Sequence, residues 1–545
     1  MNVEGILIGF NDEAMETTIQ RSSPYKERSA GYNHMISRSS ILNGKRLKFS
    51  ELVRESISNS TGFKSDLSIY RMPNMAVHYL HQYLERKGVN AEIVNNYNFG
   101  KERLKELLTN YRPKFVGVSS TCIVEAAPIR EVVDYIRQFN KEVTVIVGGP
   151  FINSINYEYQ DQAQKYLLHR MGADIYIHER QGEKTLYGIY KALCGKIPMS
   201  QVPNILFKSP DGEDYIRTRK EAENISLDED PVKKFTFYEN HPKPPVYVRT
   251  AISCSLQCAF CRYPILGGDP MYMRLDSLEK NLDYIKSIGV QYIVFIDDSL
   301  NISLDRFKSI LRMMIRKNYN FKWFSFFRIS HSDEETYELM AQSGCTGVIL
   351  GVESGNNTIL KNMDKQVKRE KLLWGIKQLH KNSIMSYASC IIGFPGETKE
   401  TAADTIRFIE EASPTFYDLQ CWFLENSVPI SKERAYYNLE GYGYAWSHKD
   451  MNSIEASVIV ADAIKNIKNS YFMPSLSFNL WSLAYYMSQG ATVEDFKNFC
   501  SYFSKVIFYE DDNLDQAYYT NMKELLQVFK NNQDIYRNLK MRNER

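Results

Sequence analysis

The sequence predicts an α/β protein made of a doubly wound parallel-sheet domain, a partial (β/α)6 barrel and a mostly helical C-terminal cap. Three observations predict it. Short apolar strands alternate with helix-length amphipathic stretches from residue 1 to 210, the same alternation restarts at 246, and it stops near 425. At 545 residues the chain is too long for one ordinary core, so two or three domains are expected.

In the first series the expected strands are Ile6–Phe10, Ala91–Asn95, Phe115–Ser119, Val143–Val147 and Asp174–Ile177. Helices are expected near Met75–Lys87, Lys101–Tyr111, Ala127–Asn140 and Gln160–Met171. This spacing suits a Rossmann-like domain over 1–210, with its ligand at the carboxyl ends of the strands. Residues 11–70 interrupt it as an insertion carrying Arg21, Lys26, Arg28, Arg38, Lys45, Arg46, Lys48 and Arg54. That insertion reads as a solvated basic surface, or as a lid attracting an anionic substrate. Residues 211–245 read as a charged linker ending in His241-Pro242-Lys243-Pro244-Pro245.

The second series, 246–424, offers strands at Val246–Thr250, Tyr292–Ile296, Trp323–Phe327, Gly347–Leu350, Ser386–Ile392 and Leu419–Phe423. Each gap has room for a helix, and the working face of such a barrel is the carboxyl end of its strands. Beyond 425 the stretches Ser453–Tyr471 and Thr492–Phe508 look amphipathic and helical, after a Tyr- and Gly-rich segment at 436–446.

Bulk properties narrow the function. A hydrophobic fraction of 43% and a charged fraction of 24% describe a folded protein, and a net charge of +2 argues against a dedicated nucleic-acid binder. No stretch is long and apolar enough to span a bilayer, and the N-terminus reads as a strand instead of a signal peptide. The expected location is the cytoplasm, where nine cysteines serve as thiols or ligands. Abundant aromatics, 37 Tyr and 28 Phe, call for many buried interfaces or a large apolar-walled pocket.

Three cysteines stand apart. Cys254, Cys258 and Cys261 form a C-x3-C-x2-C loop directly after the first barrel strand. Three thiolates on one short loop each take one iron of a cubane cluster, and no fourth cysteine lies nearby. A structural zinc site would want that fourth ligand at close range. Cys345 and Cys390, on expected strands, read as small core residues.

The loop, with the aromatic Phe260 before its last cysteine and Tyr263 after it, resembles the signature of the radical S-adenosylmethionine superfamily. The resemblance implies a 4Fe–4S cluster whose open iron chelates S-adenosylmethionine, reductive cleavage to a 5′-deoxyadenosyl radical, and an electron donor such as flavodoxin or ferredoxin. It also implies that Phe260 and Tyr263 of the loop, with Asp298, Arg328, Glu353, Gly393 and Pro395 at barrel strand ends, contact S-adenosylmethionine. Phe295-Ile296-Asp297-Asp298 departs from the superfamily's common Gly-Gly-Glu, although its acids suit the cofactor's ammonium group.

A Rossmann-like domain ahead of this barrel resembles the cobalamin-dependent class. Asn74, Thr121, Gly148, Gly149 and Glu179, at the matching strand ends, are the implied cobalamin contacts. The Asp-x-His-x-x-Gly signature is missing, and His78 and His81 sit on an expected helix as surface or packing residues. Cobalamin is therefore expected to bind without a histidine on cobalt. Ile-Gly-Phe-Asn-Asp near the N-terminus, Phe-Ile-Asp-Asp, Trp-Phe-Ser-Phe-Phe-Arg and Gly-Tyr-Ala-Trp-Ser-His resemble the phosphinate P-methyltransferases of phosphinothricin-type biosynthesis. What this implies is a methyltransferase acting on a P–H phosphinate or an unactivated carbon of a small-molecule or peptide-like natural-product intermediate. Non-methylating radical rearrangement and a cobalamin- or redox-responsive binding protein remain the alternatives.

Overall fold

The structure, a computed structural model, describes residues 3–22, 29–65, 67–159, 161–229, 243–475 and 480–543. The chain divides into two compact units. The first comprises Met1–Glu13, Tyr70–Phe235 and Ile265–Met273; the second comprises Ala14–Ile69, Thr236–Pro264 and Arg274–Arg545.

The first unit is built on seven strands: β1 Gly5–Phe10, β2 Ala91–Asn96, β3 Phe115–Ser119, β4 Thr144–Gly148, β5 Ile175–Ile177, β6 Ile205–Lys208 and β7 Tyr215–Arg217. Their order is β2-β1-β3-β4-β5-β6-β7, parallel through β5 and antiparallel beyond it. Alternate residues serve opposite helical layers. Ile6, Ile8, Val116, Val118, Val145 and Val147 pack with Leu104, Ile129 and Val132, while Leu7, Ile146 and Ile175 pack with Val77, Leu84 and Ile189. Strand order reverses between β1 and β3, so the loops leaving their carboxyl ends diverge and open a crevice for ligand.

β6 and β7 correct the expected domain end at 210, because β7 lies inside the expected linker. The signal was local. Ser209-Pro210-Asp211-Gly212 separates two apolar runs, and it folds as a tight turn with Gly212 at φ +77° and its N–H donated to the Ser209 carbonyl at 2.9 Å. Residues 230–242 of that linker, with Gln160 at the start of an expected helix, lie outside the described residues.

The second unit carries seven parallel strands in sequential order: β8 Val246–Val248, β9 Tyr292–Phe295, β10 Lys322–Phe327, β11 Cys345–Glu353, β12 Met385–Ile392, β13 Phe416–Cys421 and β14 Tyr471–Phe472. Six match the expected barrel strands. The seventh corrects the expected helix over Ser453–Tyr471, which ends at Asn466. Ser470 donates to the Pro414 carbonyl at 2.6 Å, and the strand formers Tyr471 and Phe472 then pair with Phe416 and Tyr417. The Tyr- and Gly-rich segment also forms strands, an antiparallel meander of Glu440–Tyr442, Ala445–His448 and Met451–Asn452. Helices otherwise dominate beyond it.

The inserted segment belongs to the second unit, and its cations correct the expectation of a solvated basic surface. Of the six that are described, only Lys45 is exposed; Lys26 and Arg28 lie outside the described residues. Arg38 is 0% exposed and donates to the equally buried Asp418 at 2.8 Å and to the Leu419 carbonyl at 2.6 Å. In the same segment Phe49 packs edge-on against Phe499 and Phe503, with ring centroids 4.8 and 4.7 Å away.

Removing one partner of a buried pair strands the other charge, at a cost of about 3–5 kcal/mol. Arg38→Met is therefore expected to lower the urea midpoint sharply, and Arg38→Met combined with Asp418→Leu to recover most of the loss. Equal losses in the single and double variants would show that the pair matters only through packing.

Candidate functional site

The cysteine loop is fixed from below by an acid. Asp297, at the exit of β9, is fully buried and accepts hydrogen bonds from the Thr250 and Ala251 amides at 2.7 and 2.9 Å and from the Thr250 hydroxyl at 2.5 Å. It holds the backbone that leaves β8, so only the second acid, Asp298, is left to face the cavity. Burial pushes the Asp298 carboxyl up to about 6, and its hydrogen bond with Tyr263 works against the shift. The loop then turns at Ser253, whose φ is +70° and whose N–H donates to the Tyr263 hydroxyl at 3.3 Å.

Cys254, Cys258 and Cys261 line one wall of a cavity of about 340 Å³. Cys258 is buried and the other two half-buried. Burial raises the Cys254 thiol and pushes Cys261 up to about 11. Among the described residues no group of three or more His, Cys, Asp or Glu is arranged to hold a metal ion. The donor set instead fits a multi-iron cluster, in which each thiolate needs its own iron and the irons stabilise the thiolate form.

Phe260, Tyr263, Asp298, Arg328 and Glu353 line the same cavity. The position of Arg328 is set at its backbone by Asn301, which accepts from its N–H at 2.9 Å and donates to its carbonyl at 2.8 Å. The guanidinium donates to Ser330 Oγ at 3.1 Å and to the Lys365 carbonyl, and it stands 3.6 Å from Cys258 Sγ. Glu353 leaves β11 at φ +63° and accepts from Lys365 Nζ at 2.8 Å, both groups nearly buried. Gly351 makes room for this pair: a Cβ there would lie 2.4 Å from Glu353 Oε1 and 2.7 Å from Lys365 Nζ.

The sequence reading missed Lys365, Ser389 and Gln420, which also line the cavity. Lys365 sits between two helices with no periodic signal, and only its pairing with Glu353 reveals it. Gly393 and Pro395, in contrast, do not line the cavity. Gly393, at φ +95°, is required by Trp446: a Cβ would lie 2.4 Å from the indole ring. The Pro395 carbonyl accepts from Asn362 at 3.4 Å.

In the first unit, Asn74, Thr121, Gly148, Gly149 and Glu179 all lie at the carboxyl-end side of the parallel strands. Asn74 caps helix Met75–Arg86, accepting from Val77, while its buried amide nitrogen has no partner. Thr121 bonds to Ser119 at 2.8 Å, just beyond β3. Gly149, at φ +109°, lets the β3 and β4 exits close up, since a Cβ would lie 2.9 Å from Ser120 Oγ. Glu179 is buried against Lys220 at 2.7 Å. A strand-end crevice with an unsatisfied amide donor fits a ligand rimmed with acceptors, as cobalamin is. His78 is buried and pushed down to about 3, and His81 Nε2 lies 2.9 Å from the Ala91 carbonyl, so both pack the helix to the sheet.

The comparisons agree with this geometry. Residues 248–409 match the radical SAM superfamily and residues 68–170 match the B12 binding domain. The chain thus carries a radical SAM domain and a B12-binding domain, whose cofactors are a 4Fe–4S cluster, S-adenosylmethionine and cobalamin. It is similar to an uncharacterised methyltransferase of Pyrococcus horikoshii, 21% identical over 56% of this chain and 66% of that one. It is also similar to the tRNA-2-methylthio-N(6)-dimethylallyladenosine synthase of Deinococcus radiodurans, 26% identical over 36% and 42%. The chain thus spans less than two thirds of the length of each of these relatives. In fold it resembles the radical S-adenosylmethionine methyltransferase TsrM of Kitasatospora setae, solved with cobalamin and a [4Fe-4S] cluster (TM-score 0.58, 16% identity, 86% of this chain and 97% of that one). The cobalamin-dependent radical enzyme OxsB, solved with aqua-cobalamin and S-adenosylmethionine, gives a TM-score of 0.55 at 14% identity over 87% and 78%.

Glu397 follows Gly393 and is fully buried, its carboxyl pushed up to about 8 by burial although the Gly393 and Phe394 amides donate to it. The folded-state value exceeds the unfolded one, so its contribution to stability is complete below about pH 4.3 and is lost as pH rises through about 8. Glu397→Gln is expected to flatten the fall in urea midpoint across that window. An unchanged slope would mean that the carboxyl is ionised in the folded protein.

Proposed function

We propose that the protein is a cobalamin-dependent radical S-adenosylmethionine methyltransferase acting on a small-molecule or peptide-like substrate. One observation carries the reading: the three thiols, an acid of raised affinity for protons and two fixed cations converge on a single cavity, in a chain that also holds a B12-binding domain. Cys254, Cys258 and Cys261 hold the cluster. Asp298 receives an ammonium group, Arg328 a carboxylate, and the free oxygen of Glu353 a hydroxyl or ammonium. Asn74, Thr121, Gly148, Gly149 and Glu179 hold cobalamin, with no histidine on cobalt. When bound, the cluster and S-adenosylmethionine supply hydrogen-abstracting radical chemistry, and cobalamin supplies the methyl group. The protein's own part is to orient these groups and to keep water from the apolar wall made by Phe326 and Ile349.

The methyl acceptor is an unactivated carbon or a P–H centre, and charge favours carbon. Asp298 and Glu353 balance Arg328 and Lys365, while Arg38 of the inserted segment is spent on Asp418. Among the described residues Arg328 is then the one cation of the cavity wall without a carboxylate partner, and the carboxylate of S-adenosylmethionine takes it, which leaves no further cation for a phosphinate.

Anaerobically reconstituted, cobalamin-loaded protein given trideuteromethyl S-adenosylmethionine and candidate substrates is expected to yield deoxyadenosine together with a trideuteromethylated product. Deoxyadenosine alone would indicate rearrangement, and neither product a binding protein. An N-acetylated P–H phosphinate amino acid among the candidates tests the P–H alternative, by loss of its one-bond P–H coupling in phosphorus NMR. Replacing all three loop cysteines by Ala should abolish the cluster's visible absorption; a full iron complement in that variant would overturn the ligand assignment.

A further inference from the structure

The cavity lining also carries polar groups to which no cofactor role is assigned. β12 and β13 pair with Ser389 opposite Asp418 and Ile391 opposite Gln420, which puts Ser389 and Gln420 diagonally adjacent on the cavity-facing side. The Gln420 amide nitrogen donates to Asp418 Oδ2 and to Ser475 Oγ, both at 3.0 Å. The chemistry of the partner settles this orientation. Asp418 is paired with Arg38 and acts only as an acceptor, so the NH2 end must face it and the carbonyl oxygen must point away. Among the described residues nothing donates to that oxygen, and the Ser389 hydroxyl has no partner, yet both residues are only half-buried although they sit mid-sheet. Their exposure is to the cavity. Tyr387, beside them, is already satisfied by the Met473 carbonyl at 2.9 Å and contributes its ring.

We propose that Gln420 and Ser389 are the substrate-reading edge of this cavity and select a neutral amide. The Gln420 oxygen takes the amide N–H, and the Ser389 hydroxyl donates to the amide carbonyl. A neutral group is selected because the charges next to this edge, Asp418 and Arg38, are buried and paired with each other, so a substrate charge here is desolvated without a partner. The inference rests on the reading of this cavity as the place where substrate meets the cluster.

The test uses three matched probes, isobutyramide, isobutyrate and isobutylammonium. Each is titrated by saturation-transfer NMR against the full chain with its cluster reconstituted and no reductant present. The amide is expected to bind tightest. Ser389→Ala and Gln420→Met are each expected to weaken it by about 3- to 10-fold, the worth of one uncharged hydrogen bond, and to leave the charged probes unchanged. Ser389→Ala removes a hydroxyl with no partner, so its fold is secure even if Gln420→Met disturbs Asp418; unchanged cluster absorption verifies both. A charged probe binding as tightly as the amide, no binding of any probe, or an amide affinity untouched in Ser389→Ala would overturn the proposal. Because probe binding needs no turnover, failure here is distinct from failure to transfer a methyl group.

Discussion

The buried pair of Arg38 and Asp418 is the constraint on which the second unit turns. Two charges with no access to water are tolerable only if each satisfies the other and the remaining lone pairs find donors. Asp418 meets that demand by collecting Arg38, the Gln420 amide and the Ser475 N–H, the last at 3.1 Å. One carboxylate therefore ties the inserted segment to β13 and to the residues that follow β14. It also sets which way Gln420 points.

A similar economy separates two neighbouring acids at the exit of β9. Asp297 spends one oxygen on the Thr250 and Ala251 amides and the other on the Thr250 hydroxyl, just ahead of the cysteine loop, and Asp298 keeps its own for the cavity. The same residue type, one position apart, thus has a mechanical task in one case and a chemical one in the other. Glu353 and Lys365 repeat the pattern, since pairing fixes one oxygen of the acid and leaves the other available.

Much of this was legible in the sequence. Parallel strands buried on both faces read as continuous apolar runs, so the five parallel strands of the first unit and the first six of the second were visible, and the cysteine loop lay directly after a strand. What stayed hidden depends on partners far away in the chain. Arg38 reads as one more surface cation until Asp418 is placed against it, and Lys365 has no signal apart from Glu353. Gly393 has a reason that the sequence does not show: a glycine at a strand end suggests an approaching ligand, and the group that approaches it in the fold is Trp446. β14 was lost because two residues are too few for any periodicity, and the pairing that makes them a strand comes from β13.

The Arg38–Asp418 contact also has a consequence in time. Its partners are 380 residues apart, and the first unit is itself closed only by residues 265–273. At a synthesis rate of about 5–20 residues per second, Arg38 exists for roughly 20 to 80 seconds before Asp418 does. The chain cannot fold as beads leaving the ribosome one after another. Its inserted segment, with Phe49 and the Arg38 guanidinium uncovered, waits for a core that has not yet been translated, and apolar and charged surface stays exposed for that interval.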